Sequence, residues 1–277
     1  MSLFIASLNS GSNGNCYYIG NENGAILVDA GISCLETEKR LKRLGLGIEK
    51  IKAIFISHEH KDHISGLAVL AKKYQLPVYI TEGTQQYGKV RIEKQLVNRF
   101  IAGKPVLIGG LRVTAFKKNH DAGDPHSFIV ASKSVKIGVF TDIGMACRQV
   151  IDNFQQCNAA FLEANYDVEM LANGGYPYYL KQRISDGRGH LSNIQALDLF
   201  RNHRPAFMSH LILSHLSKNN NNPELVRELF QQHAYGTEII VASRDAETLV
   251  YQIGGWKKPP KPLSKKYSSS LQQLSLF

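Results

Sequence analysis

Short apolar, β-branched runs alternate along the chain with stretches whose apolar residues recur at helical spacing. Residues 2–8, 16–20 and 25–31 read as three strands bounded by Gly, Asn and Ser. Ser33 and Glu36 have the spacing of a capping box, for a helix that Gly45 and Gly47 end. Residues 54–56 belong to a fourth strand, and residues 64–74 carry helical spacing. Further strands are expected at 77–81, 111–118, 127–131, 135–140, 158–165, 207–213, 238–242 and 248–253. Residues 83–100 are expected to be helical, and 167–181, rich in Tyr and Gly, irregular. Ser192 is a fitting N-cap for a helix to residue 203, and Asn222-Pro223-Glu224 puts proline at the first position of another. The rhythm predicts an α/β architecture, an αββα sandwich of two mixed sheets with helices on the outer faces. No internal sequence repeat accompanies it.

The 277 residues are 43% hydrophobic, enough for a globular core. No apolar run is long enough to span a bilayer. Met1-Ser2-Leu3-Phe4-Ile5-Ala6 lacks the basic and apolar regions of a signal peptide. A cytoplasmic protein without a membrane partner is expected. Cys16, Cys34, Cys147 and Cys157 have no C-x-x-C spacing and read as reduced thiols, mostly small core residues. The formal net charge is +10, and Lys257, Lys258, Lys261, Lys265 and Lys266 fall in one acid-free stretch. That balance fits a polyanionic partner such as nucleic acid.

Candidate chemistry concentrates at His58-Glu59-His60-Lys61-Asp62-His63, on a tight turn after the fourth strand. In layered α/β folds, ligands bind at that end of the strands. Four ligating side chains on one short loop cannot all reach one ion without strain, but they can serve two. His58 and His60 suit one ion, Asp62 and His63 the other. Two-metal hydrolases hold their ions roughly 3.5–4 Å apart. Asp29, at the end of an earlier strand, is a candidate to orient this loop by hydrogen bonding. Ser12, Asn13, Gly14 and Asn15 lie in a loop of small polar residues. It reads either as a hairpin turn or as a cradle of backbone N–H groups for a phosphate. His120, Asp142 and His215 each stand at a strand end. His203, His210 and His233 lie on regular elements and read as ordinary surface or core histidines.

H-x-H-x-D-H after a strand resembles the signature of the metallo-β-lactamase fold. The resemblance implies two divalent metal ions, zinc or manganese, with His58, His60 and His120 on the first. It implies Asp62, His63 and His215 on the second, and Asp142 bridging them. Asp62 is also expected to aim an attacking hydroxide. Gly189-His190-Leu191-Ser192 resembles the G-H-S-T segment of tRNA 3′-processing nucleases of this fold, and Glu163 resembles the glutamate paired with that histidine. Together they imply a Glu163–His190 relay that protonates the leaving group.

A longer set of stretches is similar to the YycJ (WalJ) subfamily of metallo-β-lactamase-fold nucleases. It comprises Ser10-Gly11-Ser12-Asn13-Gly14-Asn15, Asp29-Ala30-Gly31, His58-Glu59-His60-Lys61-Asp62-His63, His120-Asp121-Ala122-Gly123-Asp124-Pro125, Leu162-Glu163-Ala164-Asn165, Gly189-His190-Leu191-Ser192-Asn193 and His215-Leu216-Ser217-Lys218-Asn219-Asn220. The similarity implies a 5′–3′ DNA exonuclease acting in DNA repair, with Asn219 grouped with Ser12–Asn15 as phosphate contacts. His126-Ser127 departs from the pattern, which has an apolar residue and Gly there, and leaves one more imidazole near the site without a role. Residues 1–255 are expected to form the catalytic domain and 256–277 a basic, flexible tail. Gln273-Leu274-Ser275-Leu276-Phe277 resembles the peptide by which bacterial replication and repair proteins bind the sliding clamp. In that reading Leu274, Leu276 and Phe277 enter an apolar pocket and Gln273 fixes register. The alternatives are an RNA-processing nuclease or a small-molecule phosphodiesterase of the same fold. The long Gly/Pro-rich arm of the tRNA-processing branch is not seen. A non-catalytic clamp adaptor would not need the complete ligand set.

Overall fold

Every strand expected from an apolar run is present in the computed structural model, which describes residues 2–254. The basic tail and the clamp-like peptide Gln273-Leu274-Ser275-Leu276-Phe277 lie outside the described residues. β1 (Leu3–Asn9), β2 (Cys16–Gly20), β3 (Ala25–Val28), β4 (Ile51–Phe55), β5 (Val78–Tyr79) and β6 (Val97–Asn98) build one sheet. β7 (Val106–Ile108), β8 (Leu111–Lys117), β9 (His126–Ser132), β10 (Val135–Phe140), β11 (Ala159–Glu163), β12 (His210–Ser214) and β13 (Glu238–Val241) build the second. β14 (Tyr251–Ile253) returns to pair with β1. Both sheets are mixed: β3 to β6 run parallel in the first and β10 to β13 in the second, with antiparallel strands completing each.

Period-2 alternation sorts the strand side chains into layers. Ala53 and Phe55 of β4 face Phe128, Val130 and Phe161 in a core between the sheets. Ile54 faces outward beneath α1 (Cys34–Arg43) and the later helix at Leu67–Tyr74. Strands covered on both faces read as unbroken apolar runs, which is why β4 shows no polar alternation at its end. The second sheet is covered on its outer face by Phe154, Phe200 and Phe230 from three helices.

Three expectations are corrected. The His/Asp stretch is not a turn followed by one helix. It opens a short helix, α2 (Lys61–Ile64), that stops before α3 (Leu67–Tyr74). Gly66 between them packs so closely on Ile32 that an added Cβ would stand 1.8 Å from its carbonyl oxygen. Residues 83–100 are not one helix: α4 (Glu82–Tyr87) ends at Gly88 and Lys89, whose φ is +48°. The chain then extends to pair Val97 with Val78. After α5 (Arg148–Phe154), the span expected to be irregular holds α6 (Val168–Asn173) and α7 (Tyr178–Ser185). Asp167 caps α6 by accepting from the backbone of Glu169 and Met170, a local signal the Tyr and Gly content obscured. α8 (Asn193–His203) has the capping box of Ser192 and Gln195, and α9 (Pro223–Gln231) starts with Asn222 as cap. No helix of the described residues is long and apolar enough to cross a membrane.

Candidate metal centre and active site

Parallel strands of both sheets end at one edge of the sandwich, and the polar residues that follow them converge there. Three of those residues leave their strands with left-handed backbone: Asp29 after β3 (φ +62°), Asp142 after β10 (φ +52°) and His215 after β12 (φ +57°). A non-glycine residue held in this region costs about 1–3 kcal/mol, so the surrounding contacts must over-determine it. They do so around Asp29, which is fully buried. Its Oδ1 accepts from the Ser57 amide (2.8 Å), and its Oδ2 accepts from Ser57 Oγ (2.8 Å) and His63 Nδ1 (2.7 Å). Asp29 thus clamps the His loop.

These outer contacts fix the tautomers. Ser57 Oγ donates its hydrogen bond to Asp29, so its 2.9 Å contact with His58 Nδ1 is completed by the imidazole N–H. His120 Nδ1 donates to the Gly189 carbonyl (3.0 Å). The Nε2 atoms of both rings are therefore bare acceptors, 3.1 Å (His58) and 3.2 Å (His120) from His60 Nδ1. Burial, the largest influence on each, lowers the basicity of all three, with His120 down at about 3. A triangle of three neutral imidazole nitrogens is a donor set for one divalent cation.

A second group joins Asp62, His63, Asp142 and His215. Here acids dominate. Burial alone would make His215 less basic, but Asp142, Asp62 and Glu163 outweigh it and push the ring up to about 10. His63 is raised in the same way, against burial, by Asp142, Asp29 and Asp62. Asp62 and Asp142 are held well below the usual carboxylate range: burial opposes ionisation, and the neighbouring histidines overcome it. Asp142 Oδ2 lies 3.1 Å from His63 Nε2 but outside hydrogen-bonding geometry, so this buried oxygen has no donor among the described residues. Asp142 Oδ1 is 3.9 Å from His120 Nε2, which places the carboxylate between the two groups. Undonated oxygens and bare imidazole nitrogens at one spot fit divalent cations.

Glu163 holds two imidazoles. Its Oε1 accepts from His190 Nδ1 (2.7 Å) and His215 Nδ1 (3.0 Å), and its Oε2 accepts from the amides of Ile143 (2.8 Å) and Leu191 (3.1 Å). Burial would raise this carboxyl, but His190 and His215 bring it down to about 2. A cleft of about 360 Å³ opens over the site, lined by Ser12, His60, Asp62, Asp142, His190 and His215 among others.

The proposed phosphate contacts fare differently from one another. Asn15 is buried, and its Nδ2 lies 3.1 Å from both Asp62 Oδ2 and His63 Nε2. The Gly14 and Asn15 amides are spent on the carbonyls of Gly11 (2.9 Å) and Asp62 (2.6 Å). Through Asn15 the loop braces the candidate ligands, and two of its amides are used within the fold. Asn13 is exposed and bonds through Nδ2 to the Arg244 carbonyl (2.8 Å), while Ser12 alone of the four lines the cleft. Asn219 does not line it and instead donates to the Tyr176 hydroxyl (3.2 Å). His126, the departure from the family pattern, starts β9, donates through Nδ1 to the Asp124 carbonyl (2.9 Å) and packs edge-on to Phe100. It is a packing residue outside both groups.

Sequence reading missed Ser57, Asn165 and the Asp121–Arg183 pair. Asn165 Nδ2 donates to the His215 carbonyl (2.7 Å). Asp121 stands 3.5 Å from His120 Nε2 and is held by Arg183 Nε of α7. A small residue inside an apolar run and a charge pair 62 positions apart leave no local signature.

A model of the metallo-beta-lactamase superfamily matches residues 10–154. The chain is 36% identical over 232 residues to exodeoxyribonuclease YycJ of Bacillus anthracis, covering 82% of this chain and 87% of that protein. It is 34% identical over 225 residues to exodeoxyribonuclease WalJ of Streptococcus pneumoniae (strain D39), covering 79% and 83%. Its fold is similar to the crystal structure of the metallo-beta-lactamase fold protein YhfI from Bacillus subtilis. The TM-score is 0.71 at 17% identity, over 91% of this chain and 100% of that one.

Proposed function

The chain belongs to the metallo-β-lactamase superfamily, beside the YycJ and WalJ exodeoxyribonucleases, and is a metal-dependent hydrolase; from this premise we propose a two-metal 5′–3′ DNA exonuclease acting in DNA repair. The observation that carries the reading is the meeting, in one cleft, of two ligand groups with a Glu163–His190 pair 2.7 Å apart. His58, His60 and His120 would hold one cation, Asp62, His63 and His215 the other, with Asp142 shared. Two cations there would supply hydroxide at neutral pH and offset charge gathering on the phosphate.

The chain's own groups do the rest. Asp62, at the cleft floor, accepts a hydrogen bond from the attacking oxygen and aims it at phosphorus. As the new P–O bond forms, the P–O3′ bond breaks, and His190 gives its proton to the departing 3′ oxygen. Glu163 orients His190 through Nδ1 and stabilises the ring while it is charged. Lys61 and Arg183 at the cleft wall favour the polyanion.

The test is incubation with 5′-phosphorylated linear DNA, a closed circle and RNA, with Zn²⁺ or Mn²⁺, beside Asp142→Ala. Metal-dependent shortening of linear DNA only is expected. Equal activity in the variant would sink the assigned site, and shortening of RNA alone would favour an RNA-processing enzyme. We propose further that Gln273-Leu274-Ser275-Leu276-Phe277 tethers the enzyme to the sliding clamp. A protein ending at residue 270 should lose clamp capture in a pull-down; undiminished capture overturns the tether.

A further inference from the structure

His215 runs on into Leu216-Ser217-Lys218, and β13 into Ala242-Ser243-Arg244-Asp245. Together with Arg227 of α9, these stretches line a second cavity of about 270 Å³. It adjoins the cleft: Leu216 and Ser217 line both, and Arg244 Nη2 donates to Ser12 Oγ (3.2 Å) on the cleft wall. Its charged and polar groups take no part in the chemistry above. Lys218 and Arg227 are exposed, and among the described residues neither side chain is hydrogen-bonded or ion-paired. Arg244 Nη1 is buried without an acceptor among the described residues, so this guanidinium has a hydrogen bond still to make. Ser217 Oγ accepts from the Asn220 amide (3.3 Å) and Ser243 Oγ from the Asp245 amide (3.0 Å), which leaves both hydroxyl protons to give. Asp245 is the one carboxylate on the wall among the described residues.

Three cations and two donating hydroxyls against one acid make a hollow for an anion. α9 starts at its edge with Pro223, and the positive end of that helix adds to the field. A guanidinium fork suits phosphate oxygens in particular. The exposure of Lys218 and Arg227 leaves the hollow open to solvent, so a chain can run through it instead of ending in it. We propose that this cavity holds an internal backbone phosphate of the DNA strand being cleaved, a short way from the scissile linkage. It reads charge and not the base, and it sets the path by which the strand leaves the metal centre. This rests on the nuclease reading.

The test follows release of the first nucleotide from 5′-phosphorylated DNA by the full-length protein with Mn²⁺. One uncharged methylphosphonate linkage is placed at each internal position in turn. At one position besides the scissile linkage it should raise KM about tenfold with kcat little changed, the worth of one charge-assisted hydrogen bond. Arg244→Ala should raise KM on ordinary DNA by about as much, and the uncharged linkage at that position should then add nothing further. Lys218→Ala and Arg227→Ala, at exposed positions, should each lower the salt slope of binding by about one. Lys72→Ala, on α3, should change neither KM nor slope. Arg244→Ala and Lys218→Ala proteins that keep the original KM and slope overturn the site, as does a response to the uncharged linkage that is the same wherever it is placed; the nuclease reading survives either result. Failure of the unsubstituted protein to cleave any strand removes both.

Discussion

Glu163 carries a heavier load than a pairing with His190 requires, because the same carboxylate also holds His215 and two backbone amides. Glutamine keeps the shape but turns one acceptor into a donor facing N–H groups, so buried donors lose their partner. Glu163→Gln should therefore cut kcat by about 10²-fold or more, measured on linear DNA. The carboxyl sits at about 2, below its ordinary 4.5. A depressed folded value gives stability that is present above about 4.5 and lost as pH falls through about 2, on the order of 3 kcal/mol. Urea unfolding of the metal-free proteins should show the variant weaker at pH 7 and the difference shrinking toward pH 2. The histidines divide in a similarly testable way. His63 and His215 are raised and carry the second proton of an imidazolium at neutral pH, whereas His58, His60 and His120 are lowered and stay neutral. Zinc added in weak buffer at pH 7 should release protons from the second group only. Its apparent affinity should rise about tenfold per pH unit for each proton displaced. An uptake that releases no protons contradicts this division.

At the scale of elements, the site is made by strand ends that turn sharply and a short helix docked against them. Gly31, just after β3, lies where the β1–β2 loop and α2 meet. An added Cβ there would stand 1.7 Å from the Asp62 carbonyl oxygen and 2.6 Å from the Asn15 amide. No side-chain rotation relieves an overlap with backbone. Gly31→Ala should push α2 outward and weaken metal binding by at least about tenfold, the usual toll for disturbing groups that orient ligands, in a calorimetric titration. Ser192→Ala, which removes the capping box of α8, should cost about 1 kcal/mol in a denaturant melt and leave metal affinity unaltered. Strand runs and caps were legible because their signals are local. Residues 83–100 misled because a polar span resembles a helix surface, while its extended part is ordered by pairing with β5, a partner that sequence spacing does not reveal.

Across the whole molecule, the two ligand groups draw on both sheets. His58, His60, Asp62 and His63 follow β4 of the first; His120, Asp142 and His215 follow β8, β10 and β12 of the second. Cations held there cross-link the layers in the folded state alone. At a hundredfold excess over Kd this adds about 2.7 kcal/mol, so EDTA should lower Tm by roughly 5–10 °C; an unchanged melt would mean that the groups hold no cation. The amino-acid sequence by itself determined the roster of strands, the main helix caps and the dense His58–His63 cluster, since β-branched runs, capping residues and neighbouring ligands act over a few positions. It pointed to His120, Asp142 and His215 only through likeness to a family. Tertiary structure alone decided that His215 comes within 3.3 Å of Asp62 from 153 residues away. It also decided that Glu163 serves two rings, that Asn15 braces Asp62 and His63 from inside, and that His126 packs on Phe100. Such meetings depend on strand order and register, and those are settled by the packing of whole layers, which no short stretch of chain encodes.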